Sequence, residues 1–154
     1  MEFTLLAHHK ALIPTIAKWY FDEWGSIVAA ACEESFEQKL QDYLNESAIP
    51  CVIVALDGDT VAGAVQLKFH EMSIYTDKAH WIGGVYVDKP YRGNKLASRL
   101  VKEAERLAST FGVTTLYLQT EHPEGGLYRK LGWQPLEKVT YRNVNVVVMS
   151  KVLV

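Results

Sequence analysis

Between Val85 and Leu100 the chain reads Val-Tyr-Val-Asp-Lys-Pro-Tyr-Arg-Gly-Asn-Lys-Leu-Ala-Ser-Arg-Leu, residue types in an order that can hold a phosphate. A β-branched strand stops at Pro90, a basic loop containing Gly93 follows, and an amphipathic helix opens near Lys95. A helix start presents backbone N–H groups with no partner inside the helix, together with a partial positive charge. Both favour an anion such as a pyrophosphate. Arg92 and Lys95 stand beside that start and Lys89 slightly upstream, so the loop adds cationic donors. Gly93 admits backbone conformations that other residues resist. The same string also fits an exposed loop with surface cations before an ordinary helix, and on these residues alone both readings stand. No G-x-G-x-x-G and no G-x-x-x-x-G-K-S/T occurs, so neither a dinucleotide fingerprint nor a P-loop is present.

The elements that must position this loop follow from hydrophobic period. Glu2 to Ala7 reads as a short strand. From Lys10 to Trp24, Leu12, Ile13, Ile16, Ala17, Tyr20 and Trp24 recur at helical spacing, with Pro14 in the tolerant first turn. A second helix is expected from about Ser35 to Asn45; Gly25 to Glu34 between them reads as loop or helix. Cys51 to Leu56 is a β-branched strand, Asp57-Gly58-Asp59 a hairpin signal, and Val61 to Phe69 the returning strand. Trp81 to Val87 is a further strand, in which Gly83-Gly84 suggest a bulge or a close backbone approach. Leu96, Leu100, Ala104, Leu107, Ala108 and Phe111 share one face of a helix over Lys95 to Phe111, which Gly112 ends. A strand from Thr114 to Thr120, a short helix from Glu124 to Leu131, and strands Trp133 to Tyr141 and Val144 to Val152 about an Arg142-Asn143 turn complete the order. That order predicts an α+β (or α/β) fold, a sheet of about seven strands with helices packed on it.

With 154 residues, 49% hydrophobic and 22% charged, the chain suits a single domain over 1–154 that needs no disulfide. Sixteen basic and 18 acidic residues are mixed along it, for a net charge of −2, without the concentrated basic face of a nucleic-acid binder. Cys32 and Cys51 lack metal-ligand spacing and read as reduced, structural thiols, and no metal is expected. The start, Met-Glu-Phe-Thr, lacks the regions of a signal peptide, and no apolar run reaches membrane-span length. A cytoplasmic protein without a membrane partner is expected.

The loop resembles the coenzyme motif of the GNAT family of N-acetyltransferases, a strand ending V-x-V followed by Q/R-x-x-G-x-G/A at the start of a long helix. Val85-Tyr86-Val87 supplies the strand. Arg92, Leu96 and Ala97 fall on matching loop positions, with Gly93 and Asn94 between and Lys95 where the family usually has glycine. Leu127-Tyr128-Arg129-Lys130-Leu131-Gly132-Trp133 is similar to the family's second segment, at the right distance downstream. The resemblance implies a mixed, mostly antiparallel, twisted sheet with helices on both faces, and acetyl-CoA as co-substrate. Val85, Tyr86 and Val87 would pair with the pantetheine arm, and Arg92, Gly93, Asn94, Lys95, Leu96, Ala97 and Ser98 would hold the pyrophosphate.

The resemblance also implies chemistry. Acetyl transfer to an amine requires loss of a proton from the amine, polarisation of the thioester and stabilisation of the departing thiolate. Tyr128 matches the tyrosine that serves as acid for the thiolate. For the base, Glu121 is the first candidate, with His122, His80 and Glu71 as others that could act directly or through water. The acceptor site would form from the first two helices and the closing strands, including Trp19, Tyr20, Trp24 and the 25–34 segment, with Glu23, Glu33 and Glu34 nearby for a cationic amine; these aromatics also read simply as core. Thr120-Glu121-His122 leading into Leu127-Tyr128 is similar to a subgroup containing protein N-terminal acetyltransferases. The expected function is therefore acetylation of a primary amine on a small molecule or peptide. A non-catalytic acyl-CoA-binding or sensing domain is the alternative, and a homodimer is possible in either case.

Overall fold

The computed structural model describes residues 1–28 and 31–153. Seven strands form one sheet: β1 (Glu2–Leu5), β2 (Cys51–Asp57), β3 (Thr60–Phe69), β4 (His80–Val87), β5 (Thr115–Thr120), β6 (Gln134–Tyr141) and β7 (Val144–Val152). Their spatial order is β1-β2-β3-β4-β5-β7-β6. Every neighbouring pair is antiparallel except β4 and β5, which run parallel. Helices α1 (Ile13–Trp24) and α2 (Glu33–Gln41) precede β2, α3 (Leu96–Thr110) joins β4 to β5, and α4 (Gly126–Lys130) joins β5 to β6.

Strand alternation divides the core between the two faces. Ile53, Ala55, Val65, Leu67, Ile82, Leu116 and Leu118 meet the buried stripe of α3, Leu96, Leu100, Val101, Ala104 and Ala108, and α4 adds Tyr128 and Leu131 to that face. Val52, Val54, Ala64 and Tyr86 face the other way, against Ile16, Ala17, Trp19 and Tyr20 of α1 and Phe36 and Leu40 of α2. A smaller cluster of Met72, Trp81, Val146 and Val148 lies beneath the β3–β4 connection.

Local chemistry sets the element ends. α3 closes in a Schellman motif, with Val113 N–H bonded to Ala108 O, Gly112 N–H to Ser109 O, and Gly112 at φ +82°. The β6–β7 hairpin turns through Arg142 (φ +51°) and Asn143 (φ +66°), the left-handed pair that suits strand twist. α2 lies earlier than its pattern suggests. Ser35, expected to open it, sits in its first turn, where its hydroxyl donates to Cys32 O and accepts Cys32 N–H. The helix ends at Gln41 because the Asn45 amide turns back onto the Asp42 and Pro50 carbonyls. α4 begins two residues later than expected, since Gly125 (φ +85°) just ahead of it and Gly126 (φ +51°) at its first position are both left-handed. After α1 the chain makes a 3-10 turn over Gly25–Ile27; residues 29 and 30 of the expected acceptor loop lie outside the described residues.

Candidate active site

β4 and β5 share a single register pair, Trp81 with Tyr117, at the start of β4. Beyond it, among the described residues, the two strands share no further register pair, so the edge of β4 facing β5 carries no ladder from Gly83 to Val87. A parallel pair normally bonds along its length. The split is therefore a slot lined by peptide groups, able to take an extended ligand with amides of its own. Along the slot Val85 and Val87 face the α3 side, while Tyr86 faces α1 and stacks on Trp19 at 5.0 Å between ring centroids.

The expected bulge is present. On β3 one residue, Val65, stands opposite two on β4, Gly84 and Val85, between the pairs Ala64–Tyr86 and Gln66–Gly83. Gly84 has φ +55°, and a Cβ there would lie 2.9 Å from both the Gln66 side chain and Tyr20 Oη. The Tyr20 hydroxyl donates to Gly84 O at 2.7 Å, so α1 pins the bulge from its own face of the sheet. Burial holds this phenol far above its usual pKa, keeping it a donor.

At the other end of β4, Asp88 accepts Lys89 N–H, and the chain makes a short 3-10 turn before α3. Arg92, Gly93, Asn94 and Lys95 are exposed there. Lys95 is the residue just before α3 and adopts the left-handed conformation, φ +60° and ψ +22°. That geometry accounts for the glycine usual at this place in the family motif, and the lysine adopts it nonetheless. Among the described residues no side chain caps α3, and the first N–H closed by the helix is that of Arg99, to Lys95 O at 3.2 Å. The N–H groups of Leu96, Ala97 and Ser98 are thus left at the helix end. The Leu96 side chain is buried in the core, so it can offer a ligand only its backbone. The Arg92 Nε–H donates to Val87 O at 2.9 Å and its guanidinium lies over the Tyr86 ring. It fastens the loop to the strand.

On the α1 face, polar groups gather over the start of the slot. Glu71, in the β3–β4 connection, is ion-paired with Lys68 of β3 and accepts a hydrogen bond from Gln119 Nε2 of β5 at 3.2 Å. The carboxylate thus reaches from the β3 side to the β5 side. Burial tends to lower the Lys68 pKa, but the Glu71 carboxylate and the Tyr43 hydroxyl outweigh it and the net direction is up. The connection that carries Glu71 is fastened to the last hairpin: the Tyr75 hydroxyl donates to Glu137, and Tyr141 Oη accepts Ser73 N–H at 3.2 Å.

The other candidate bases stand elsewhere. Glu121 is exposed past the end of β5, on a groove of about 300 Å³ shared with Lys138, Thr140 and Asn145. His122 is exposed, and its N–H caps Thr120 Oγ1. His80 is half-buried beside Phe69. Tyr128 sits on α4 against the α3-side core, edge-on to Trp133 with ring centroids 6.4 Å apart, and burial raises its phenol pKa. A network absent from the sequence reading holds α4 in place. Trp133 Nε1–H donates to Glu105, Glu105 pairs with Lys151 at 2.7 Å, and Lys151 donates to Leu131 O at the end of α4. Among the described residues no group of three or more His, Cys, Asp or Glu side chains is placed to hold a metal.

A mixed seven-stranded sheet, split between its two parallel strands, thus leads into an open helix start. The sequence matches the profile of the acetyltransferase (GNAT) family over residues 13–133, and the chain belongs to that family. Its fold is similar to that of an aminoglycoside 6'-N-acetyltransferase complexed with coenzyme A (16% identity, TM-score 0.78, covering 100% of this chain and 98% of the other). It is also similar to a ribosomal-protein-alanine N-acetyltransferase from Brucella melitensis (18%, 0.77, 99% and 100%) and to the aminoglycoside 6'-N-acetyltransferase from Enterococcus faecium (16%, 0.73, 100% and 98%). No curated protein matches the chain by sequence. Among the described residues no helix is long and apolar enough to cross a membrane.

Proposed function

We propose that the chain is an acetyl-CoA-dependent N-acetyltransferase acting on a primary amine of a small molecule or peptide. The observation that carries this is the split beyond the Trp81–Tyr117 pair, which leaves the β4 edge free and ends at the uncapped start of α3. Pantetheine amides would pair with the edge at Val85, Tyr86 and Val87. The pyrophosphate would meet the backbone of Gly93 to Ser98, with the Lys95 cation beside it. Acetyl-CoA is the substrate these residues fit, since it joins an amide-bearing arm to a diphosphate.

In this reading the acceptor amine approaches from the α1 face, where Glu71 can receive its proton; Glu121 is the second carboxylate proposed for that role. Tyr128, kept protonated by burial, would donate to the thiolate as the C–S bond breaks. The acceptors named for the similar structures, aminoglycosides and a ribosomal-protein alanine, are both amines and set the panel to try.

The test is calorimetry with acetyl-CoA, followed by thiol release against aminoglycosides, polyamines and peptides with free N-termini. Binding of acetyl-CoA with thiol release on one of these amines is the expected result. Binding without release on any amine would favour the non-catalytic sensing alternative. Absence of binding would overturn both.

A further inference from the structure

The structure carries an amine of its own to the place where an acceptor would stand. Lys68 lies on β3 opposite Trp81 of β4. Its side chain passes over Gly83, where a Cβ would fall 3.0 Å from Lys68 Cδ and 3.6 Å from Glu71 Oε2. Strands lie about 4.8 Å apart, so a lysine crossing a glycine brings its nitrogen to the far side of the neighbouring strand. There Nζ meets Glu71, whose other oxygen is held by Gln119 of β5. An ammonium rooted on β3 thus stands at the mouth of the β4–β5 split, already in contact with a carboxylate. The side chains are 23% and 22% exposed.

We propose that Lys68 is an internal acyl acceptor: with acetyl-CoA bound and no external amine in the cleft, the chain acetylates its own Lys68. This rests on the acetyltransferase reading above. The ammonium gives one proton to Glu71, the freed amine bonds to the thioester carbon, and the C–S bond breaks with its electron pair on sulfur. A second nitrogen proton balances that sulfur as thiol, relayed through Tyr128 or water, and the third stays on the amide. Filling the split expels water, and desolvation favours the neutral amine and carboxylic acid over the ion pair, which helps the first step. The product has no cation opposite Glu71, so modification would also change the charge an external acceptor meets.

The test is incubation of the full chain with acetyl-CoA and no acceptor, read by intact mass and peptide mapping, with calorimetry as the separate measure of coenzyme binding. Lys151 is the internal control, being 26% exposed and ion-paired with Glu105 at 2.7 Å. Lys68 is expected to gain an acetyl group about 10²-fold faster than Lys151, the scale of a positioned base. Glu71→Gln should remove that preference, and Lys68→Arg should remove the modification while acetyl-CoA still binds. Acetyl-CoA binding with Lys68 unmodified, or modified no faster than Lys151, would overturn the proposal and leave the acetyltransferase reading intact. Equal labelling of Lys68 in the Glu71→Gln variant would also overturn it, since the label would then be uncatalysed. Absence of binding would overturn both.

Discussion

Gln119 on β5 donates its amide to Glu71 Oε1 at 3.2 Å across 48 residues of sequence, and that contact spans the two sides of the open slot. It gives Glu71 a fixed place over the point where β4 and β5 part. Glu71→Gln is expected to lower kcat/KM by about 10²-fold, the lower end for loss of one general base. Glu121→Gln, made beside it, decides between the two carboxylates: equal or greater loss there would move the base to the end of β5. Gln119→Leu is expected to lower kcat more than it raises KM, because it unfixes Glu71 without touching the coenzyme loop.

Tyr128 has a test that separates chemistry from packing. Tyr128→Phe keeps the ring against Trp133 and deletes the donor, so turnover should fall by about 10²-fold while melting temperature and acetyl-CoA affinity hold. Tyr128→Ala should add a stability loss of about 2 kcal/mol, since the ring packs on the α3-side core. Near-normal turnover of the Phe variant in steady-state kinetics would assign thiolate protonation to water.

Lys95 combines a strained backbone with a useful charge. Its φ of +60° costs a non-glycine residue about 1 kcal/mol, so Lys95→Gly should raise the melting temperature by about 2–4 °C. The same change removes a cation beside the helix start. Acetyl-CoA should then bind more weakly at low salt, with the difference shrinking as salt rises. Calorimetry at two ionic strengths reads the second effect independently of the first.

Cys51 gives a pH dependence with a definite sign. Burial pushes its thiol from the usual 9.0 up to about 11. The folded state therefore holds this proton more tightly, and the stability it represents is fully present below pH 9 and lost as pH rises through 11. At about 1.4 kcal/mol per pKa unit, the full loss is about 3 kcal/mol. Urea unfolding at pH 8 and pH 10.5 should show a smaller drop for Cys51→Ala than for the unaltered chain, although the variant is less stable at both. Equal drops would mean the thiol does not titrate with unfolding.

The order of elements was legible because each rests on near neighbours in sequence. The helical stripe from Leu96 to Ala108, the β-branched run from Cys51, and the Arg142-Asn143 turn all carry their signal within a few residues. The loop between β4 and α3 was legible for the same reason: strand, turn and helix start are consecutive. Where neighbouring side chains compete, the reading slipped, as in α2, whose ends follow the hydrogen bonds of Ser35 and Asn45 rather than the apolar period.

What only the tertiary structure decided is which distant groups meet. The split between β4 and β5 depends on one parallel pairing after a crossover through α3, and no period in either strand announces it. Lys68, Glu71 and Gln119 come from three different segments, and Glu71 stood behind Glu121 among the candidate bases until the β3–β4 connection folded over Gly83. That the Arg92 guanidinium meets the Val87 carbonyl and the Tyr86 ring at the end of β4 is likewise a matter of packing. Periodicity and turn chemistry act over a few residues, so the sequence alone determines elements and their order. Ion pairs, unpaired strand edges and buried amides depend on packing across the sheet, and only the folded chain fixes them.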